Sequence, residues 1–416
     1  MDHELECQRC DRTYDPDVYP AGCPACREAG EAGRLEVAID LSTVETAALP
    51  FDGGGERADM WRYRELLPLL PDEPVTMGEG WTPLPEARDL PVSADIYLKN
   101  ETVNPTWSFK DRLNALLLSN AVSGVGRTHV ATSSTGNHGA STAAYARRAG
   151  AEEVVVLVPP QTERPLRGQI RAYGAAVAVT DYEARRPLLE ALAERGWYPT
   201  VSVSKGYTSQ HYGYEAYKTI AFELLEQLGE PPDVVVAPVG SGDGLYGTWK
   251  GFRELRDLGV VERTPRMVGV QPAERPSLAA ALEAGADAVG SAPGPMPITT
   301  STSGDSAGDH ALRAVRESEG TAYGIEREEV LAAMRAAGRE GIVLEPACAL
   351  AVAATERLAA DGEVADDDTA VCVATGAGVK WPDALIEAVG ETPRADPDLD
   401  ALCRALSVDP DAPRTR

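Results

Sequence analysis

The sequence lacks long apolar runs and has a deficit of basic residues. No stretch of 18 or more apolar residues occurs in its 416 residues, so no membrane-spanning helix is predicted. The first residues, Met1 to Glu4, carry neither a basic segment nor an apolar one, so no secretory signal is predicted and we expect a cytoplasmic protein. A chain of this length exceeds one ordinary core, which predicts more than one domain.

The deficit of basic residues limits the kinds of molecule that we expect this protein to bind. Against 65 acidic residues stand 39 basic ones, giving a formal net charge of −26, and only six of the basic residues are lysines. Such a surface repels phosphate backbones, which argues against nucleic acid as a partner. An acidic, lysine-poor surface is typical of adaptation to a high-salt cytoplasm, where carboxylates stay hydrated and their repulsion is screened. The alternative is an acidic protein of an ordinary cytosol.

The seven cysteines are unevenly distributed. An odd total without a secretory signal fits a reducing compartment better than a disulfide framework. Two Cys-x-x-Cys pairs lie within the first 26 residues, and such pairs can present four thiolates tetrahedrally to zinc. Four cysteines leave no open coordination position, so the predicted zinc is structural. Its ligands would be Cys7, Cys10, Cys23 and Cys26. The alternative is a degenerate ribbon without metal, because neither pair is followed by the usual glycine.

From about residue 77 onward, predicted strands alternate with helices. This alternation predicts an α/β fold with two doubly wound, mainly parallel-sheet domains after a zinc-ribbon-like segment. One long helix is expected over residues 212–228. We predict a ribbon at 1–40, a linker and arm at 41–76, a large domain formed by 77–110 and 205–390, a small domain at 111–204, and a tail at 391–416.

The chain is organised around Lys110. It lies in the segment Asn104 to Arg112, where a turn containing proline runs into an apolar helix. A lysine in the first turn of a helix is electrostatically unfavourable, because the amino end of a helix disfavours cations. The position does suit an amine that must be neutral or bound as an imine. From this segment alone, an ordinary surface lysine is an equal alternative.

Glycine-rich turns follow three predicted strands, at residues 136, 240 and 376. Ligands bind beyond the carboxyl ends of parallel strands, and such turns offer backbone amides to anions. The segment Gly240 to Gly244 is the best phosphate cradle in the chain. It is neither a Walker loop nor a dinucleotide fingerprint. A phosphate cradle together with a reactive type of lysine suggests pyridoxal phosphate.

Four motifs in this order resemble the fold-type II pyridoxal-phosphate enzymes: Asn104 to Arg112, Ser134-Thr135-Gly136-Asn137, Glu345-Pro346-Ala347 and Thr375 to Lys380. Their order and the ribbon make the chain, from about residue 77 to 385, most similar to the threonine synthase family. The resemblance implies a carbon–oxygen lyase, expected to be a homodimer, that converts O-phospho-L-homoserine and water to L-threonine and phosphate.

The resemblance also implies roles for individual residues. Lys110 would be catalytic and would hold the cofactor as an imine, while Ser134 and Thr135 would receive the substrate carboxylate. The large domain would bind the cofactor through Phe109, Lys110, Asn137 at the 3′-oxygen, the phosphate loop Gly240, Ser241, Gly242, Asp243, Gly244 and Leu245, and Thr375 at the pyridine nitrogen.

The sequence departs from the family at several positions. Trp107 stands where glycine is usual, and Asp243 brings a carboxylate into the phosphate loop. The arginine that binds the substrate phosphate in the family is absent from the matching stretch, His211 to Tyr214. We therefore expect the substrate phosphate to be bound by Lys218, Ser204, Lys205 or Arg112.

Two alternatives stay open. One is a β-elimination or β-replacement enzyme for another amino acid, either similar to threonine and serine dehydratases, which His138 favours, or using O-phosphoserine. The other is a non-catalytic paralogue that only binds the cofactor.

Overall fold

A computed structural model describes residues 3–31, 33–46, 49–52, 57–203 and 210–408. The strands are β1 His3–Cys7, β2 Thr13–Tyr14, β3 Leu35–Ile39, β4 Glu86–Ala87, β5 Asp95–Asn100, β6 His129–Ser133, β7 Glu153–Val158, β8 Ala176–Val179, β9 Tyr198–Pro199, β10 Val234–Pro238, β11 Arg266–Pro272, β12 Thr321–Ile325 and β13 Thr369–Ala374. The helices are α1 Pro24–Glu28, α2 Lys110–Leu118, α3 Asn137–Arg148, α4 Arg164–Ala172, α5 Arg185–Ala193, α6 His211–Glu215, α7 Lys218–Leu228, α8 Asp243–Asp257, α9 Ser277–Glu283, α10 Asp309–Glu317, α11 Arg327–Arg339, α12 Pro346–Ala360, α13 Pro382–Val389 and α14 Leu399–Leu406.

The strands form three sheets. The large sheet has the order β12-β11-β10-β13-β5-β4 and is parallel except for β4, which pairs antiparallel with β5. The small sheet, β8-β7-β6-β9, is parallel throughout. An antiparallel sheet of order β2-β1-β3 holds the amino-terminal segment. The predicted α/β class with two mainly parallel sheets is confirmed, while the predicted domain boundaries stay a prediction.

Helices cover both faces of the large sheet, which explains the almost continuous apolar sequence of its central strands. Along β10, Val235 and Ala237 belong to one hydrophobic cluster, whereas Val234 and Val236 belong to another. Successive side chains of a strand point to opposite faces, so each strand contributes to two cores at once. The carboxyl ends of the central strands are thereby held rigidly at one edge, where the glycine-rich turns follow.

The structure differs from the sequence prediction in one helix, and it shows a further helix within the predicted tail. The helix expected over 212–228 is two helices, α6 and α7. Helix α8 passes close to this break, since a β-carbon on Gly247 would lie 2.3 Å from the Tyr214 carbonyl oxygen. The predicted tail contains α14, whose start is capped by the Asp398 side chain accepting from the Ala401 amide. Across the described ranges, no helix combines the length and apolarity needed to cross a membrane.

Candidate active site

A cavity, here called the cleft, lies where the carboxyl ends of β6, β10 and β13 approach helix α5. It encloses about 400 Å³, which is within the usual range for small-molecule sites. Residues distant in sequence meet here, at the edge where open α/β sheets bind ligands. Eleven of the predicted site residues line it: Phe109, Lys110, Ser134, Thr135, Asn137, Gly240, Ser241, Gly242, Asp243, Gly244 and Thr375.

Several predicted site residues are not found in the lining. Leu245 is fully buried in the hydrophobic core behind the phosphate loop. Lys218 was expected to bind substrate, but its ammonium is buried between Glu215 and Glu254, at 2.8 and 2.7 Å. These two carboxylates hold it away from the cleft. Ser204 and Lys205 lie outside the described residues.

Lys110 is the first residue of α2 and points its amine into the cleft. Its Nζ donates a hydrogen bond to the Tyr217 hydroxyl at 3.2 Å and lies 4.5 Å from the centre of the Phe109 ring. Burial lowers the pKa of this ammonium, against the opposing charges of Asp243 and Glu345. Within the described part of the chain it forms no ion pair. The site thus favours the neutral, nucleophilic amine.

The phosphate loop is shaped by glycine. Gly242 has φ 95°, and a β-carbon there would lie 2.4 Å from the β-carbon of Ala311. A β-carbon on Gly244 would lie 2.6 Å from Cε2 of Phe109. The loop lines the cleft and leads into α8, a helix of 15 residues, so the amino end of this helix lies at the cleft. This is the arrangement that binds phosphate.

Asp243 is held by side chains on both of its oxygens. The Ser241 hydroxyl donates to Oδ2, and the His310 ring lies with Nε2 3.0 Å from Oδ1. Burial lowers the pKa of His310, and the charge of Arg34 adds to the effect. A neutral His310 therefore donates to Asp243. The unfavourable carboxylate noted in the sequence is accommodated by a hydroxyl and an imidazole.

Asn137 connects two charged residues at the floor of the cleft. Its Nδ2 donates to Glu345 Oε2 at 2.7 Å, and its Oδ1 accepts from Lys380 Nζ. Lys380 Nζ also donates to the carbonyl oxygens of Thr106 and Trp107, at 3.1 and 3.0 Å. Burial lowers the pKa of Lys380 to about 8. The amide of Asn137 is therefore fixed in orientation, with one Nδ2 hydrogen left for a ligand.

Thr375 directly follows the central strand β13 and presents a hydroxyl without charge. Its Oγ1 lies 2.9 Å from Cys348 Sγ on α12. Burial raises the pKa of Cys348 well above its ordinary value, so the thiol stays protonated. A ligand atom facing Thr375 meets a neutral hydroxyl backed by a neutral thiol.

The amino end of α3 offers a second anion-binding surface. Ser134 Oγ accepts from the amides of Gly136 and Gly139, at 3.0 and 2.9 Å, which fixes the turn and leaves its own hydrogen free to donate. His138 follows, with Nε2 2.9 Å from the Thr200 hydroxyl. Burial and then the charge of Lys110 lower the pKa of His138 to about 3, so the ring is neutral at physiological pH.

The sequence prediction missed two residues of the cleft or its edge. Tyr217, the hydrogen-bond partner of Lys110, lies between two helices in a stretch with no recognisable motif. Arg185 lines the cleft from α5, yet in sequence it belongs to an Arg-Arg pair on an amphipathic helix, which resembles a solvated face. Only three-dimensional proximity distinguishes either residue.

Trp107, which stands where glycine is usual in the family, has a backbone conformation that is unfavourable for a residue with a side chain. Trp107 has φ 66°, the left-handed region that favours glycine, and its ring is about half exposed. A side chain in that region costs roughly 1–2 kcal/mol. The glycine usual in the family at this position is thus the residue that the turn before Lys110 prefers.

The four amino-terminal cysteines converge. Their sulfur atoms all lie within 4.8 Å of one another. Cys7 and Cys26 are 3.7 Å apart, as are Cys10 and Cys23. A tetrahedral zinc with Zn–S bonds of about 2.3 Å requires sulfur–sulfur edges of about 3.8 Å. The spacing fits the predicted ligand set.

The chain is similar to known proteins both in sequence and in structure. Residues 75–376 match the family described as "Pyridoxal-phosphate dependent enzyme". The chain is 33% identical over 414 residues to a threonine synthase of Methanosarcina acetivorans, covering 97% of this chain and 98% of that protein. It is 32% identical over 416 residues to a threonine synthase of Methanocaldococcus jannaschii, covering 96% and 98%. A crystal structure of an L-serine ammonia-lyase from Rhizomucor miehei superimposes with TM-score 0.64 at 22% identity, over 74% of this chain and 97% of that one.

Proposed function

Because this chain belongs to the pyridoxal-phosphate-dependent enzymes, and among them to the threonine synthase family, we propose that it converts O-phospho-L-homoserine and water to L-threonine and phosphate. The observation that carries the proposal is the presence, on one cleft, of a half-buried lysine amine without an ion pair and of a glycine-rich loop suited to phosphate. The near full-length match to two threonine synthases supports the choice of substrate.

The residues of the cleft fit pyridoxal phosphate. The loop from Gly240 to Gly244 would hold its phosphate, and Thr375 would face its ring nitrogen. The remaining Nδ2 hydrogen of Asn137 would donate to the ring oxygen, and Lys110 would bind its carbonyl carbon. When bound, this cofactor supplies an electron-withdrawing conjugated ring that stabilises negative charge at the substrate's α-carbon.

The chain's own residues then orient the substrate and move protons. The Ser134 and Thr135 hydroxyls and the α3 amino end would bind the substrate carboxylate. Lys110 Nζ, released by the substrate amine, would accept the α-proton, because burial favours its neutral form. The Tyr217 hydroxyl would keep this amine directed at the substrate. Loss of a β-proton as well would let phosphate leave the γ-carbon with the electrons of the C–O bond. The γ-carbon then gains a proton, and water adds its hydroxyl to the β-carbon while the α-carbon regains a proton, which gives threonine.

The test is the stoichiometry of products from O-phosphohomoserine. Enzyme loaded with cofactor should release threonine and phosphate in equal amounts, as measured by amino-acid analysis and a phosphate assay. Serine, threonine and O-phosphoserine serve as comparison substrates. Keto-acid release from serine or threonine, or phosphate release from O-phosphoserine alone, would instead favour the β-elimination or β-replacement alternative. Absence of threonine from O-phosphohomoserine overturns the proposal.

We also propose that Cys7, Cys10, Cys23 and Cys26 bind one structural zinc ion, on the sulfur spacing above. The ribbon is joined to the large unit by the Tyr214 hydroxyl donating to the Leu35 carbonyl and by Lys250 Nζ donating to the Val37 carbonyl at 2.8 Å. Metal analysis of purified protein should give one zinc per chain, and Cys23→Ser should lose it. Protein without zinc would support the degenerate-ribbon alternative.

A further inference from the structure

A phosphorylated substrate needs a cation at its phosphate, since charge-assisted contacts are the ones that hold dianions. Lys218 does not line the cleft, because Glu215 and Glu254 bind it. The cationic side chains that do line the cleft, within the ranges the structure describes, are Lys110, Arg185 and Arg186. Lys110 has the role argued above, so the two arginines of α5 remain.

Arg185 is buried and carries an uncompensated charge. Only 7% of the residue is exposed, and its guanidinium carbon lies 4.4 Å from the centre of the Tyr182 ring. Its guanidinium hydrogen-bonds the Tyr182 side chain, but its Nε has no hydrogen-bond partner, and among the described side chains no carboxylate pairs with it. An arginine keeps its proton at neutral pH. A buried charge without a partner is costly, and such groups concentrate where ligands bind.

Arg186, its neighbour, differs in each of these respects. Its side chain is 43% exposed, its Nε bonds Glu190 at 3.1 Å, and its Nη2 donates to the Val203 carbonyl at 3.1 Å. Its charge is already matched on the surface of α5. Two adjacent arginines therefore line one cleft, and only the buried one has an unpartnered Nε and no carboxylate partner among the described residues.

The acidic residues of the cleft do not supply the missing partner. Asp243 is bonded to Ser241 and His310, and Glu345 accepts from Asn137. The substrate carboxylate already has a surface, formed by the start of α3. A phosphorylated amino acid carries a second anionic group, its phosphate, and this group can supply the charge partner that Arg185 lacks.

We propose that Arg185 binds the phosphate group of the substrate and determines the preference for a phosphorylated over an unphosphorylated amino acid. The inference rests on the proposed function and names the residue that takes over from the arginine absent at 211–214. The planar guanidinium can donate two parallel hydrogen bonds to a phosphate while Tyr182 supports its face. The same charge stabilises the phosphate as it leaves the γ-carbon.

The test compares two ligands that differ only in the phosphate. One is the phosphonate in which a methylene replaces the ester oxygen of O-phosphohomoserine, and the other is norvaline, the same carbon chain without phosphonate. Calorimetry on cofactor-loaded enzyme gives both dissociation constants for wild type, Arg185→Gln, Arg185→Lys and the charge-matched control Arg186→Gln.

Arg185→Gln should weaken phosphonate binding about 10- to 100-fold, the equivalent of one charge-assisted contact. Norvaline binding should stay within about twofold of wild type. Arg185→Lys should lie between the two, and Arg186→Gln should shift phosphonate binding less than about threefold, because its charge is matched on the surface. Melting temperatures show that each variant is folded.

Two results would overturn the assignment. One is unchanged phosphonate binding in Arg185→Gln, and the other is an equal loss for both ligands, which would indicate a carboxylate or purely structural contact. The proposed function fails separately. If wild type makes no threonine but binds the phosphonate in an Arg185-dependent manner, the activity is wrong and the phosphate site stands. If wild type makes threonine and Arg185→Gln binds the phosphonate as wild type does, only the Arg185 assignment is wrong.

Discussion

Six cations in the described part of the chain form two sets that differ in their partners. Lys99, Arg112, Lys218 and Lys250, the paired set, are each buried against glutamates. The open set consists of Lys110, which is half-buried, and Arg185, which is buried; both line the cleft and have no ion pair in the described part of the chain. Burial alone therefore does not identify a functional cation in this protein. The open set is distinguished by the lack of both a compensating carboxylate and a full set of hydrogen bonds, whereas Lys380, which also has no ion pair among the described residues, donates to three oxygen atoms.

The paired set is saturated with hydrogen bonds. Arg112 donates to Glu101 and Glu223 and to the Thr219 hydroxyl, and Lys99 Nζ lies 2.7 Å from Glu223. Glu223 also accepts from the amides of Trp81 and Thr82. A buried ion pair is tolerated when its remaining donors and acceptors are satisfied in this way. These residues fix α2 and α7 around the cleft and are not available to a ligand.

Lys110→Ala gives the largest expected effect, because it removes a member of the open set. Turnover should fall by at least about 10³-fold, since the lysine serves as both cofactor anchor and base. The free energy of unfolding should change little, because no ion pair is broken. Lys99→Met is the matched control. It should lower the free energy of unfolding while cofactor attachment persists. Substrate turnover by the Lys110→Ala protein would contradict the distinction between the open set and the paired set.

Glu223→Gln tests the paired set. It leaves Arg112 and Lys99 buried with one carboxylate fewer, and breaking a buried pair costs about 3–5 kcal/mol. Chemical denaturation measures the loss. Glu317→Gln, in the exposed pair with Arg313, is the control and should cost less than about 1 kcal/mol. Equal costs for the two variants would contradict the assignment of Glu223 to a saturated core.

Lowering the pH should remove the stabilisation that the paired set contributes. Burial raises the pKa of Glu223, but the charges of Arg112 and Lys99 outweigh it and lower the pKa to about 2. Because the folded value lies below the ordinary 4.5, the stabilisation is complete above 4.5 and is lost as the pH falls toward 2. Wild type should therefore lose stability over this window more steeply than Glu223→Gln. Parallel curves for the two proteins would argue against the pairing.

Salt gives the smallest expected effect and concerns the surface. With 65 acidic against 39 basic residues, unfolding temperature should rise from about 0.1 M to molar potassium chloride as surface repulsion is screened. The cost of Glu223→Gln should stay constant over the same range, since buried pairs are poorly screened. A flat or falling melting temperature would count against adaptation to high salt.

Local and long-range features differ in how well the sequence predicts them. The phosphate loop and the turn before α3 were predictable, because glycine at these strand ends is required by backbone geometry within a few residues. The side chains that pair with the buried cations could not be predicted from the sequence. Lys218 looked available, although Glu215 lies three residues before it, and Glu254 reaches it from another helix. Arg185 looked solvated, because only the folded chain turns α5 toward the cleft.

The most direct test of this account is the site of covalent labelling by pyridoxal phosphate. Native enzyme loaded with the cofactor is reduced with borohydride, digested, and mapped by mass spectrometry. We predict one pyridoxyl group, on the peptide that contains Lys110, because its amine faces the cleft, forms no ion pair among the described residues and has a lowered pKa. Label on Lys99, Lys218, Lys250 or Lys380, each held by several oxygen atoms, would contradict the division into open and paired cations.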